Sequence, residues 1–338
     1  MKTNIKKNNS EQKSMEKNQK IQVVRGIAVI AVVLIHTCPL GMYQVIARPF
    51  INFCVATFLF LSGYLTKTEN DNWPAFFRKR ILRVLIPYVI WNVSYTLLDY
   101  YFNGWGGFRI LFVHLISTKA SGHLYFIFVY IQFVLLTPVL GKLLKSKYRW
   151  MGWFVAPIST VFFKYYFLLS GREMNHYLSV VWDVCCLGWF TFYYLGLMLG
   201  NGIKVCRYNY KKLAVMYGIS ILLQMGEGYI WFRLGEGNCG SQIKLTSFLT
   251  STLFLLLVHE YLNSNIPVKG KFLALLGDCS FGVYLSHNMV KKVFLHVPYY
   301  SSIPYVLNSI IVLLVSFGCV LIGRKICGKR ISKWLGFV

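Results

Sequence analysis

Apolar runs of about 20 residues follow one another along almost the whole chain, separated by short basic segments. About 20 apolar residues are the length that an α-helix needs to cross the hydrocarbon core of a bilayer. In lipid, a backbone satisfies its hydrogen bonds internally as a helix or as a closed barrel. Of the 338 residues, 56% are hydrophobic and only 14% are charged, which is too little charge to cover a soluble globule. The runs therefore predict an all-α, polytopic membrane helix bundle.

We place ten spans on these runs, with boundaries good to within several residues. They cover residues 21–40, 48–65, 81–101, 122–141, 150–169, 179–199, 213–232, 243–262, 273–297 and 304–323. The ninth run is the weakest, because Lys291 and Lys292 interrupt it. We expect residues 1–20 to form a disordered basic cytoplasmic tail, 21–323 the membrane domain and 324–338 a second basic cytoplasmic tail. No small-residue cleavage site follows the first run, so we expect it to stay uncleaved.

The basic residues are distributed unevenly between the two sets of connecting segments. Of the 36 Lys and Arg residues, 27 lie in the N-terminal tail and in the segments that share its side if the spans alternate. Cytoplasmic loops of membrane proteins carry such an excess. We therefore expect both termini, Arg25 and Arg80 inside and the segments near Arg172 and Cys239 outside. The net charge of +25 then reflects anchors at the bilayer surface, and no nucleic-acid partner is expected.

Arg25 and His36 stand in one otherwise apolar run, QVVRGIAVIAVVLIH. Eleven residues at about 100° each return to nearly the same helix face, roughly 16 Å further along the axis. A titratable side chain inside a bilayer costs several kcal/mol unless it faces a cavity or a partner, so the pair indicates a functional site. The alternative is that Arg25 reaches the membrane surface and that His36 is an ordinary buried histidine with satisfied hydrogen bonds.

A second cluster lies in FRKRILRVLIPYVIWN, where Arg80 and Arg83 share a helix face at the expected cytoplasmic border. Guanidinium groups bind phosphates through paired hydrogen bonds, so this cluster can hold a phosphorylated ligand. The alternative is the ordinary positive belt of a membrane protein, with bound anionic headgroups.

Further polar groups stand against the apolar background. Ser62 lies next to Gly63, which allows close helix packing. His123 lies at the outer mouth of the fourth span, and Tyr284 and His287 lie three residues apart on the ninth. The acids that could orient a histidine are Asp99, Asp183, Glu260 and Asp278. The nine cysteines show neither metal-ligand nor disulfide spacing, and no nucleotide-binding glycine motif occurs, so we expect no metal.

The order of these motifs resembles the integral membrane acyltransferase-3 superfamily, whose members O-acylate sugars and glycans. The family's Arg/Lys-x10-His element is similar to Arg25 with His36, and its Phe-x-x-Ser-Gly-Tyr/Phe element is similar to Phe58–Tyr64. Its Arg-x-x-Arg element is similar to Arg80 with Arg83, which precede Pro87, Tyr88 and Trp91. Its His-Leu-Trp-Phe element is matched with Tyr125 in place of Trp, and its Ser-Phe-x-x-Tyr-Leu-x-His element runs from Ser280 to His287. The family's occasional SGNH-type extension is not expected here.

The resemblance implies a multi-pass protein of the bacterial cytoplasmic membrane that moves an acyl group, most often acetyl, from cytoplasmic acyl-CoA. The acceptor would be a hydroxyl of a cell-surface glycan or a lipid-linked saccharide. His36 with Arg25 would be catalytic, as base or as acyl carrier; Arg80, Arg83 and Ser62 would bind the donor. Support would come from His123, Tyr284, His287 and Asp183. A polysaccharide polymerase or flippase without acyl transfer is the alternative, and a non-catalytic sensor or scaffold is a third possibility; protein partners and oligomeric state stay open.

Overall fold

The computed structural model describes residues 2–117, 119–205 and 209–337, with the backbone alone for residues 2–14. The described residues form helices and no strand. The α-helices are α1 (Lys2–Thr37), α2 (Met42–Ala47), α3 (Phe53–Tyr64), α4 (Trp73–Asn103), α5 (Gly107–Ser117), α6 (Tyr125–Lys145), α7 (Val155–Thr160), α8 (Tyr166–Ser170), α9 (His176–Val184), α10 (Phe190–Gly200), α11 (Tyr210–Arg233), α12 (Leu245–Asn263), α13 (Lys271–Asp278), α14 (Ser280–Phe294), α15 (Tyr305–Ile326) and α16 (Gly328–Trp334).

Short irregular helices connect or extend these elements. The 3₁₀-helices cover Arg48–Phe50, Gly122–Leu124, Arg149–Trp153, Leu187–Trp189 and Tyr300–Ser302. One π-helical turn, Val161–Tyr165, joins α7 to α8. Such turns often interrupt helices at functional positions, and this one carries Lys164.

Seven segments of the described chain are long and apolar enough to cross a membrane. They are Met15–Thr37, Met42–Tyr64, Trp73–Asn103, Gly122–Lys145, Tyr210–Arg233, Leu245–Asn263 and Tyr305–Ile326. A bent pair, α9 with Leu187–Gly200 at 41°, raises the number to eight if it forms one span. The prediction of an all-α, multi-pass membrane protein is confirmed. The count of ten spans, the cytoplasmic termini and the boundaries of the two tails stay predictions.

The two other expected spans are shorter helices in the structure. Residues 150–169 begin with a 3₁₀-helix, and the apolar helix that follows, Val155–Ser170, ends at Gly171 with a φ of 63°. That left-handed conformation ends a helix and suits glycine. Residues 273–297 are divided between α13 and α14 by a break at Cys279. Hydropathy alone did not reveal these breaks.

Glycines allow the helices to pack backbone against backbone around α1 and α3. A Cβ added at Gly26 would lie 2.2 Å from the carbonyl oxygen of Leu273, so α1 and α13 are in direct contact there. A Cβ at Gly63 would lie 2.3 Å from the carbonyl oxygen of Tyr193, and one at Gly196 would lie 2.1 Å from that of Phe60. Helices in membranes associate through such small residues. These contacts fix the walls of the cavity described below.

Candidate active site

One cavity of about 1250 Å³ extends along the face of α1 that carries Arg25 and His36. Both side chains line it, as do Gln22, Val32 and Ile35 of the same helix. These positions recur at helical spacing, so they belong to one face. The structure therefore places the two side chains on the wall of one cavity rather than against lipid.

Three histidines from separate elements meet beside this cavity. The ring of His36, near the end of α1, lies 5.1 Å from the ring of His287 on α14 and 5.9 Å from that of His123. The rings of His123 and His287 lie 4.9 Å apart. His123 and His287 are buried, whereas His36 is half-buried and faces the cavity. The family resemblance named all three as site residues, but it did not predict that their rings meet, because they are far apart along the chain.

Hydrogen bonds fix which nitrogen of His287 carries its proton. Its Nδ1 lies 2.7 Å from the carbonyl oxygen of Tyr284 and 3.2 Å from that of Val283. Because a carbonyl oxygen only accepts, Nδ1 must donate, and in the neutral ring Nε2 is left with a lone pair. Within the described part of the chain this buried Nε2 has no partner. His287 is thus prepared to accept a hydrogen bond from a group in the cluster.

His123 is held in the opposite tautomer. The side-chain amide of Asn288 donates to its Nδ1 at 3.0 Å, and the hydroxyl of Ser121 lies 2.8 Å from the same nitrogen. An Nδ1 that accepts leaves the proton on Nε2, which is buried and has no hydrogen-bond partner among the described residues. The hydroxyl of Tyr284 donates to the backbone carbonyl of His123 at 2.7 Å and so attaches this segment to α14.

The carbonyls at the end of α1 are bound by side chains from other elements. The hydroxyl of Tyr305 donates to Leu34 at 2.8 Å, Arg48 Nη2 donates to Ile35 at 3.3 Å, and Lys291 Nζ donates to His36. Cations at a helix C-terminus are favoured by the helix dipole. They hold the backbone of His36 in place. The sequence analysis did not identify Arg48, and its only signal for Lys291 was a lysine pair that interrupts an apolar run.

A group of cations lines the other end of the cavity. Arg25, Lys79, Arg80 and Arg83 all contribute to it. Arg83 is exposed, while Arg80 is half-buried with its guanidinium 4.8 Å from the centre of the Phe76 ring. The structure therefore brings together the two basic motifs that the sequence analysis had considered separately.

Ser62 of α3 also lines the cavity. Its hydroxyl oxygen is buried and has no hydrogen-bond partner in the described parts of the chain. A buried hydroxyl without a partner is uncommon in folded proteins, so a ligand group or water is expected to bind it.

The acids that we considered as partners of a histidine lie elsewhere. Asp99 pairs with Lys292 at 2.8 Å, and Asp278 pairs with Arg324 at 2.7 Å. Asp183 lines the cavity, and Glu260 lies on α12. Among the side chains of residues 15–117, 119–205 and 209–337, no carboxylate hydrogen-bonds to His36. The nearest titratable rings are those of the two histidines described above. The described residues also contain no group of three or more side chains arranged to hold a metal ion.

Two aromatic residues of the fourth helix hold the structure together outside the cavity. The hydroxyl of Tyr88 donates to the carbonyl of Leu115 at 2.6 Å, and Nε1 of Trp91 donates to that of Leu335 at 3.0 Å. These bonds attach α5 and the segment after α16 to α4. Lys292 similarly donates to the carbonyl of Ala120 at 2.9 Å, which supports the segment that carries His123.

Comparison with known proteins agrees with this architecture. The acyltransferase-3 family model, described as an acyltransferase domain, matches residues 18–324 of the 338. Neither the curated proteins nor the solved structures provide a significant match. The matched region contains every residue that lines the cavity. The chain therefore belongs to the acyltransferase-3 superfamily and is a multi-pass membrane acyltransferase.

Proposed function

We propose that this protein transfers an acetyl group from cytoplasmic acetyl-CoA to a hydroxyl of a cell-surface glycan or a lipid-linked saccharide, in the cytoplasmic membrane of a bacterium. The observation that carries the proposal is the single cavity lined by Arg25, Arg80 and Arg83 at one end and by His36 and His123 further along. A phosphorylated donor and a hydroxyl acceptor need these two kinds of group on one path.

The donor binds at the end with the cations. Coenzyme A carries several phosphate oxygens, and the guanidinium groups of Arg80 and Arg83 suit them because each can form two parallel hydrogen bonds. Arg25 of α1 adds a third positive charge to the wall of the same cavity. The unpartnered hydroxyl of Ser62 then meets the polar groups of the pantetheine arm as the thioester extends toward His36.

In the direct mechanism, His36 acts as general base. Its unprotonated nitrogen takes the proton of the acceptor hydroxyl while the oxygen attacks the thioester carbon. The C–S bond then breaks, and the coenzyme A sulfur leaves with the proton that His36 holds. His287 Nε2, the acceptor without a partner, stabilises the N–H of His36 that faces the cluster.

In the relay mechanism, His36 acts as acyl carrier. Its nitrogen attacks the thioester carbon, coenzyme A leaves as the thiol, and the resulting acyl-imidazole is then attacked by the acceptor hydroxyl. Both mechanisms need the same residue and give the same products. They differ in whether acyl-His36 exists without an acceptor present.

The first test replaces His36 by alanine and measures ester groups on surface glycans of cells that otherwise lack the protein. We expect the His36→Ala protein to insert in normal amounts and ester formation to be abolished. His176→Ala is the control, because His176 is an exposed histidine that does not line the cavity. Wild-type ester levels in the His36→Ala cells would exclude both the base and the carrier mechanism.

A further inference from the structure

We propose that the acceptor is an anionic saccharide, with a carboxylate or a phosphate on the acylated sugar or its immediate neighbour. This inference rests on the proposed function. The observation behind it is a second group of cations on the wall of the same cavity, one of which, Arg48, is hydrogen-bonded to the backbone next to His36. We call Arg48, Lys119, Lys164 and Gln242 the acceptor subsite.

The charge of this subsite is strongly positive. Arg48, Lys119 and Lys164 line the cavity together with two carboxylates, Asp183 and Asp278, and Asp278 already pairs with Arg324. Within the described part of the chain, no ion pair involves any of the three cations. An uncharged glycan has no group that would compensate them, whereas a carboxylate or phosphate does.

The three cations of the subsite also stand apart from the basic residues that we expect at the cytoplasmic surface. Only nine of the 36 Lys and Arg residues lie outside the segments that we expect on the cytoplasmic side, and the three cations of the subsite are among these nine. Basic residues that merely anchored the bundle to the bilayer surface would not have to face a cavity. Their presence on its wall therefore indicates a ligand.

Two buried polar atoms in the subsite have no hydrogen-bond partner among the residues that the structure describes. Arg48 donates through Nη2 to the carbonyl of Ile35 at 3.3 Å and through Nη1 to Asn238 Oδ1 at 3.5 Å, which leaves its Nε unpartnered. Gln242 donates through Nε2 to the sulfur of Cys54 at 3.5 Å, which leaves its Oε1 unpartnered. A donor and an acceptor that both await partners suit a sugar hydroxyl beside an anion.

The position of Arg48 limits how far the anion can lie from the reacting hydroxyl. Its guanidinium binds the carbonyl of the residue that precedes His36. An anion held by Arg48 therefore lies within a sugar ring or two of the His36 imidazole. For this reason the proposal places the charge on the acylated sugar or on its neighbour, not at a distant point of the glycan.

The test identifies the acylated sugar by mass spectrometry of envelope saccharides, in cells that lack the gene and in cells that express it from a plasmid. We expect the ester that depends on the protein to lie on, or next to, a sugar that carries a carboxylate or phosphate. The fragment masses distinguish the two anions. An ester on a neutral sugar with neutral neighbours would overturn the inference while leaving the proposed function intact. Absence of any protein-dependent ester would instead refute the proposed function.

A second arm tests the subsite itself. Lys164→Gln should lower the ester content of the anionic saccharide by about three- to tenfold, because one charge-assisted contact is lost. Arg172→Gln is the matched control, since Arg172 is exposed and its guanidinium binds the hydroxyl of Tyr166 at 3.2 Å outside the cavity. Protein amounts in the membrane are compared by immunoblot. If Lys164→Gln and Lys119→Gln both keep wild-type ester levels, the anion does not bind at this subsite.

Discussion

At the scale of single residues, the chemistry of His36 depends on contacts that the sequence does not reveal. The eleven-residue spacing correctly indicated that Arg25 and His36 lie on one face of α1. The sequence offered four acids that could orient a histidine and no basis for choosing one of them. The structure instead places two histidines with opposite tautomers beside it. Their contacts depend on the tertiary fold, and hydropathy carries no information about them.

The role of His287 can be tested by replacing it with asparagine and with glutamine, whose side-chain amides differ in length. Asparagine can keep the donor that binds the carbonyl of Tyr284, and glutamine places an amide near the position of Nε2. The amide oxygen of glutamine can accept the hydrogen bond that we assign to Nε2, whereas asparagine is too short to do so. We therefore expect His287→Asn to lower kcat by about 10²-fold and His287→Gln to keep more of the activity. KM for acetyl-CoA should not change, because His287 does not belong to the group of Arg25, Arg80 and Arg83. Full activity of His287→Asn in purified protein would show that the acceptor at Nε2 is not needed.

Arg83 and Arg78 form a matched pair for testing the donor site. Both lie on α4 near the same border and both are exposed, but only Arg83 lines the cavity. An ammonium group cannot reproduce the paired hydrogen bonds of a guanidinium. We expect Arg83→Lys to weaken binding of acetyl-CoA to purified protein about tenfold and Arg78→Lys to leave it unchanged. Equal dissociation constants for the two variants would indicate that Arg83 does not bind the donor and belongs to the ordinary belt of basic residues at the membrane surface.

At the scale of helices, the sequence indicated which residues allow close packing but not which helices they pack against. Gly63 indicated a close helix approach, but only the structure shows that its partner is α10. Likewise, hydropathy predicted seven spans that the structure describes as long apolar segments, and it did not predict the breaks at Gly171 and Cys279. A break depends on backbone conformation at one or two residues. Hydropathy averaged over a window of about 20 residues is insensitive to the conformation of one or two residues.

The α3–α10 contact predicts a clear difference between two glycines. A Cβ at Gly196 would lie 2.1 Å from the carbonyl oxygen of Phe60, so backbones must move apart in Gly196→Ala. We expect a loss of about 1–3 kcal/mol in stability. Gly218 in α11 has open space around it, and Gly218→Ala should be neutral or gain up to about 1 kcal/mol in helix propensity. Thermal unfolding in detergent compares them, and equal melting temperatures would contradict this account of the contact.

At the scale of the whole molecule, the proposed reaction depends on which side of the membrane each end of the cavity faces. The proposed donor is cytoplasmic, so the proposal requires the end with Arg80 to open inward and the acceptor subsite to open outward. Charge bias supports this orientation, with 27 of 36 basic residues on one side. The helices themselves are equally compatible with either orientation, since their length and apolar character are symmetric about the bilayer.

Reporter cysteines can decide the orientation. Cys239, in a segment that we expect outside, is not a suitable native reporter, because it is buried and burial raises the pKa of its thiol. Glu173 and Lys329 are exposed and lie at the expected outer and inner surfaces. In a chain without its nine native cysteines, a membrane-impermeant maleimide should label Glu173→Cys in intact cells. It should label Lys329→Cys only after the membrane is opened. The reverse pattern would put Arg80 and Arg83 on the side without acyl-CoA, and the proposed transfer across the bilayer would then be impossible.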